Sequence, residues 1–191
     1  MHTLHKAAPM ILSFAIAAAA AAATVGATPA AAAADPGAAG DRRFLEQAAR
    51  EGLAEVKLGE LAADKAEDPR VKTLARAMLD DFRKLNDELR QLAAAKGIAL
   101  PAGLDKQEAF DYRALARLCC YEFNRYYVNM MADYHIRDVR HFRSEAKHTA
   151  DPDLRRFADA NLRLLKDHRE KAQTLVPYFG HGRTDGGDAP Q

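Results

Sequence analysis

Tryptophan is absent from the 191 residues, and aromatic side chains of all kinds make up only 7%. A chain so poor in aromatics and so rich in alanine and leucine favours helices over sheets. Neither sign of charge is in excess: 28 Lys and Arg face 27 Asp and Glu, for a formal net charge of +1. The basic stripe of a nucleic-acid binder is therefore missing, and no nucleic acid is expected as partner. There is no Gly-rich phosphate loop, no Cys-x-x-Cys and no Ser-His-Asp arrangement, which points away from an enzyme. The only two cysteines, Cys119 and Cys120, are adjacent. A bond between sequence neighbours closes no useful loop, so no disulfide framework is expected. Two small buried side chains at a helix start, or a homodimer joined through Cys119 or Cys120, are the readings left.

One apolar run is present, Met10–Val25, preceded by Lys6 with His2 and His5. Small residues at Val25-x-Ala27 and Ala32-x-Ala34 offer cleavage sites near 27 or 34. Residues 1–34 thus read as an export signal. The run is short and alanine-rich against the ~20 strongly apolar residues a membrane span needs, so no transmembrane span is expected in the mature chain. No cysteine follows it, which argues against a lipidated N-terminus. The expected layout is a flexible leader at 35–40, a helical domain at 41–178 and a disordered tail at 179–191. The location is the periplasm or the outer membrane.

Within the domain, apolar residues recur at helical spacing in four long stretches. The first, about Asp41 to Ala66, carries Leu45, Ala48, Gly52, Glu55, Gly59 and Ala62 on one face, mostly small residues that let a neighbour approach closely. The second opens at Asp68-Pro69, an N-cap followed by proline, and ends at Gly97. The third, to about Thr149, puts Val128, Met131, His135, Val139 and Phe142 on one side. The fourth opens at Asp151-Pro152 and carries Leu154, Phe157, Leu165 and His168. Between the second and third lies a long connection with a capping-box signature, Asp105-x-x-Glu108, and so a short helix. Asp68–Leu79 echoes Asp151–Leu162, and at the same offset Arg42–Val56 echoes Arg125–Val139, with Glu55 opposite Asp138. The predicted fold is all-α: a four-helix ferritin-like bundle with a long crossover between its second and third helices.

Ionisable residues stand near the middle of each apolar stripe: Glu55, Asp81, His135 and His168. Burying such groups unpaired costs several kcal/mol, so they must share hydrogen bonds or a cation. Imidazole with carboxylate suits one divalent ion, iron, zinc or manganese. No Glu-x-x-His occurs at either histidine, which argues against a di-iron centre. Tyr121, Tyr126 and Tyr127 are expected to pack across helix interfaces with their hydroxyls exposed. His141, Glu145 and His148 share a face that is expected to be solvated.

The blocks FLEQAAREGLAEVKLGELAADKA, VKTLARAMLDDF, GIALP, FNRYYVNMMADYH and LLKDH resemble the ferritin-like bacterial family of domain of unknown function 4142, often labelled an outer membrane protein. The resemblance spans roughly Asp41–Leu175 and implies a ferritin-like bundle in an exported protein. The family pattern has an acid at Glu55, Asp-His in the second helix, Asp-His in the third and a late His in the fourth. Asp81, His135 and His168 match it, whereas Phe82 stands in place of a histidine and Tyr134 in place of an acid. No activity is carried over. The expectation is a non-enzymatic envelope protein acting in structure, stress tolerance or binding. The alternative is a mononuclear metal-binding or redox protein using Glu55, Asp81, His135 and His168.

Overall fold

The computed structural model describes residues 36–179. They form five α-helices and no strand: α1 (Pro36–Lys65), α2 (Pro69–Ala95), α3 (Lys106–Ala116), α4 (Cys120–His148) and α5 (Pro152–Leu175), followed by one 3-10 turn, Val176–Tyr178. Residues 1–34, expected to be an export signal, and most of the expected tail lie outside the described residues.

Local chemistry explains where the helices begin. Asp68 and Asp151 are the N-caps of α2 and α5, and each accepts backbone N–H bonds with proline following at the first helical position. Asp105 and Glu108 close a capping box at α3, with both bonds at 2.8 Å. Residues 36–40, expected as a flexible leader, form the start of α1; the sequence Asp35-Pro36 repeats the Asp-Pro start signal of α2 and α5. Phe179, taken as tail, is buried and packs on Tyr121 with ring centroids 5.9 Å apart.

Contacts at the two ends of the bundle fix the topology. At one end Thr149 donates to Asp41 at 2.9 Å, tying the exit of α4 to the entry of α1. Lys96 pairs there with Asp151, tying the exit of α2 to the entry of α5. At the other end Lys65, at the exit of α1, donates to the carbonyls of Ala116 and Leu118 at 2.6 and 2.7 Å. The segment between α2 and α4 therefore crosses the whole length of the bundle. Arg70, entering α2, lies 4.4 Å over the Tyr178 ring beyond the exit of α5. Every pair of adjacent long helices consequently runs antiparallel. All five of Val128, Met131, His135, Val139 and Phe142 are buried, as are Leu45, Ala48, Ala62, Phe82, Leu89, Leu154 and Leu165.

The small residues of α1 set its distance from α2. A Cβ on Gly52 would lie 1.9 Å from Asn86 Oδ1, and Asn86 donates to the Gly52 carbonyl at 2.9 Å. Gly52→Ala is therefore expected to lower the unfolding free energy by about 1–3 kcal/mol, through overpacking and a displaced hydrogen bond. Urea denaturation checks this, and a variant as stable as wild type contradicts the close α1–α2 contact.

Candidate metal centre

Helical spacing aims Glu55 of α1, and both His135 and Asp138 of α4, at the bundle axis. His135 and Asp138 are three residues apart and so share one face. Glu55, His135, Asp138 and, from α5, His168 are all buried, His135 and His168 completely. Glu55, His135 and Asp138 each offer a ligand atom, and these atoms lie within 4.8 Å of one another.

Hydrogen bonds fix the state of the two imidazoles. His135 Nδ1 lies 2.9 Å from the Met131 carbonyl, an acceptor only, so Nδ1 carries the proton and donates. Its Nε2 lone pair is buried without a partner among the described residues. His168 Nε2 lies 3.1 Å from Asp81 Oδ2 and donates to that carboxylate, which leaves His168 Nδ1 buried and unpartnered. Both oxygens of Glu55 and Oδ2 of Asp138 are likewise without hydrogen bonds. Glu55 Oε1 is 3.9 Å from His135 Nδ1, too far for a hydrogen bond. The two imidazoles meet edge to face with centroids 5.3 Å apart, and Phe82 packs on both, at 5.6 and 5.8 Å.

Burial sets the protonation of this cluster. The Glu55 carboxyl is pushed up to about 8, first by burial and then by the charge of Glu51. Asp138 is raised well above the carboxylate range by burial and by Glu55. His135 is pushed down to about 3 by burial and by neighbouring His168. Burial also lowers His168, against the opposing pull of Asp81. Near neutral pH the contact between Glu55 and His135 is thus one of neutral partners rather than an ion pair.

Of the four residues singled out from sequence, Glu55 and His135 meet directly. His168 and Asp81 form a second pair beside them, with the Asp81 side chain 31% exposed to solvent. Asp138 was missed as a site residue. The signal was available in His135-x-x-Asp138 and in the alignment of Asp138 with Glu55 in the internal echo.

Other sequence candidates do not converge. His141 pairs with Glu51 at 3.1 Å and packs on Phe44, whereas His148 bonds the Ser144 carbonyl. Glu145 is raised to about 7 by burial and by Asp41. Tyr127, expected with its hydroxyl exposed, is completely buried, its hydroxyl 4.0 Å from Met78 Sδ. Its ring lies parallel to that of Phe123, with centroids 6.4 Å apart. Cys119 and Cys120 are exposed, which corrects the reading of two buried side chains and does not bear on that of a homodimer.

A family model described as "Domain of unknown function (DUF4142)" matches residues 26–175. No curated protein matches the chain. Among solved structures, a DUF305 fragment from Deinococcus radiodurans aligns with a TM-score of 0.65 at 12% identity, covering 73% of this chain and 96% of that one. CopM in its Cu(II)-bound form aligns with a TM-score of 0.64 at 20% identity, covering 73% and 97%. Its Cu(I)-bound form aligns with a TM-score of 0.62 at 19% identity, covering 73% and 96%. At these identities the likeness shows a common all-helical fold.

The titrations give opposite pH limbs in metal-free protein. The stabilisation from the protonated Glu55 carboxyl is full below its ordinary value of 4.5 and is lost as the pH rises through about 8. That from neutral His135 is full above 6.5 and is lost as the pH falls toward about 3. Melting temperature in the presence of chelator is expected to be highest between those two ordinary values and to fall on the alkaline side. Glu55→Gln should shallow the alkaline limb, as followed by circular dichroism; an unchanged limb refutes the buried-carboxyl origin.

Proposed function

We propose that this chain, which belongs to the DUF4142 family, is a non-enzymatic metal-ion-binding protein of the cell envelope built on a ferritin-like bundle. One observation carries the reading. Glu55, His135 and Asp138 bring three donor groups together in the buried centre of the bundle, and lone pairs on all three lack partners among the described residues. A cation there would take the place of the protons that burial now holds on the carboxyls, balancing two negative charges without water. Glu55, His135 and Asp138 would hold it, with the His168–Asp81 pair next to them. In the place of an inward histidine, Phe82 offers no ligand and packs on both imidazoles.

Oxygen and imidazole donors suit divalent manganese, iron, zinc or copper better than soft monovalent ions. The CopM structures named for their copper-bound forms make copper one of the ions to test. The ferritin-like assignment is supported by four long helices, adjacent ones antiparallel, joined by one crossover that runs the length of the bundle. The envelope assignment is supported by the charged and apolar run of residues 1–34, which reads as an export signal. No described helix is long and apolar enough to cross a membrane. A second reading keeps the cluster as a neutral polar knot with envelope-structural duty, favoured by the upward shift of Glu55 to about 8.

Metal analysis of the purified protein separates the two readings. Metal binding predicts a stoichiometric divalent ion in wild type, lost in His135→Ala and in Asp138→Asn. It also predicts stabilisation by about 3 kcal/mol when free ion exceeds its Kd about 100-fold. Ion release should raise the melting curve's sensitivity to alkaline pH. A metal-free wild type whose melting is unmoved by chelator or by added manganese, iron, zinc or copper overturns the proposal.

A further inference from the structure

A second group of reactive side chains sits away from the bundle centre, where α3 hands over to α4. Cys119 and Cys120 are both exposed, and their Sγ atoms lie 2.8 Å apart. Regular backbone would not arrange them so, because adjacent side chains point to opposite faces of a strand and diverge around a helix. Cys119 is extended, with φ −139° and ψ 172°, whereas Cys120 has φ +57°. Cys120 is the one non-glycine residue with positive φ among the described residues. That conformation is unfavourable for a residue with a Cβ, and here it turns both thiols to the same side.

The corner is held from beneath. Lys65 grips the Ala116 and Leu118 carbonyls just before the pair, and Phe123 just after it is completely buried. The thiols therefore project from a fixed base rather than from a loose loop. Cys119, at the N-cap position of α4, makes no side-chain capping bond.

From this geometry we infer that Cys119 and Cys120 form a bidentate site for a thiophilic trivalent centre, of the arsenic(III) or antimony(III) class. Two thiols so close have a short bite. That suits a pyramidal centre with narrow angles between its sulfur ligands, and not the linear arrangement that two thiolates give silver or Cu(I). The step is a condensation. One As=O group and two S–H groups give two As–S bonds and one water, with arsenic remaining trivalent and both sulfurs unchanged in oxidation state. No oxidant is needed. The Cys120 thiol keeps its proton near neutral pH, pushed up to about 11 first by its bond to Cys119, then by desolvation and by the neighbouring negative charge of Glu67. Condensation, which carries the two protons away as water, fits such a pair better than attack by a free thiolate. The site is independent of the buried cluster, so failure of one leaves the other standing.

Phenylarsine oxide is the probe, applied to the reduced full-length chain and followed by intact-mass spectrometry. One arsenical per chain should add with loss of water. It should survive excess monothiol and be released by a dithiol. Cys119→Ser and Cys120→Ser should each shorten the adduct's lifetime in monothiol by about 100-fold or more, the loss expected when a chelate becomes a single attachment. Both positions are exposed, and an unchanged circular dichroism spectrum verifies that the variants fold. The inference is overturned by no uptake, by an adduct that monothiol strips from wild type, or by an equally lasting adduct in either single variant.

Discussion

The structure depends on the cost of keeping ionisable groups out of water. Four of them, Glu55, His135, Asp138 and His168, are buried at the middle of the helices, and most of their polar atoms make no hydrogen bond to described residues. An apolar residue of similar volume would pack there at no electrostatic cost. The fold accommodates them by neutralisation: burial raises both carboxyls and lowers both imidazoles. Under the proposed function, a cation would exchange for protons already present, so its binding would be linked to pH and to stability together.

The frame around the cluster is closed by contacts at its ends rather than at its middle. Lys65 caps carbonyls of the crossover, Thr149 reaches Asp41, and Lys96 pairs with Asp151. These ties set the axial register of the four long helices. Register in turn decides whether Glu55 of α1 lies level with His135 of α4. A slip of one turn, about 5 Å, would part them entirely. Gly52 and Asn86 add the lateral constraint by fixing how closely α1 approaches α2.

The aromatic surroundings shape what the centre can hold. Phe82 lies against both imidazoles and shields them from water without offering a donor. Asp81, one residue earlier, is partly solvated and bonds His168 from outside.

Much of the helical layout was legible in the sequence, because its causes are local. Asp-Pro starts, a capping box and apolar residues at three and four are read along a single helix, and they placed α2 to α5 closely. The first turns of α1 went unread although Asp35-Pro36 carries the same signal, since Gly37 and Gly40 look like leader. Glu55, Asp81, His135 and His168 were visible as polar residues on apolar stripes. Which of them meet was not, because partners on different helices depend on register and rotation that no single stripe contains. Asp138 shows the limit: its spacing from His135 and its echo of Glu55 are in the sequence, but its meeting with Glu55 depends on packing between α1 and α4. The cysteine pair shows it again, since exposure and one left-handed residue, neither encoded by two adjacent Cys, turned both thiols to the same side. Composition, periodicity and local caps determined that the chain is helical and where its helices lie, apart from the first turns of α1. The tertiary structure alone decided which charges face each other, because that follows from the register and the end-to-end ties between helices far apart in sequence.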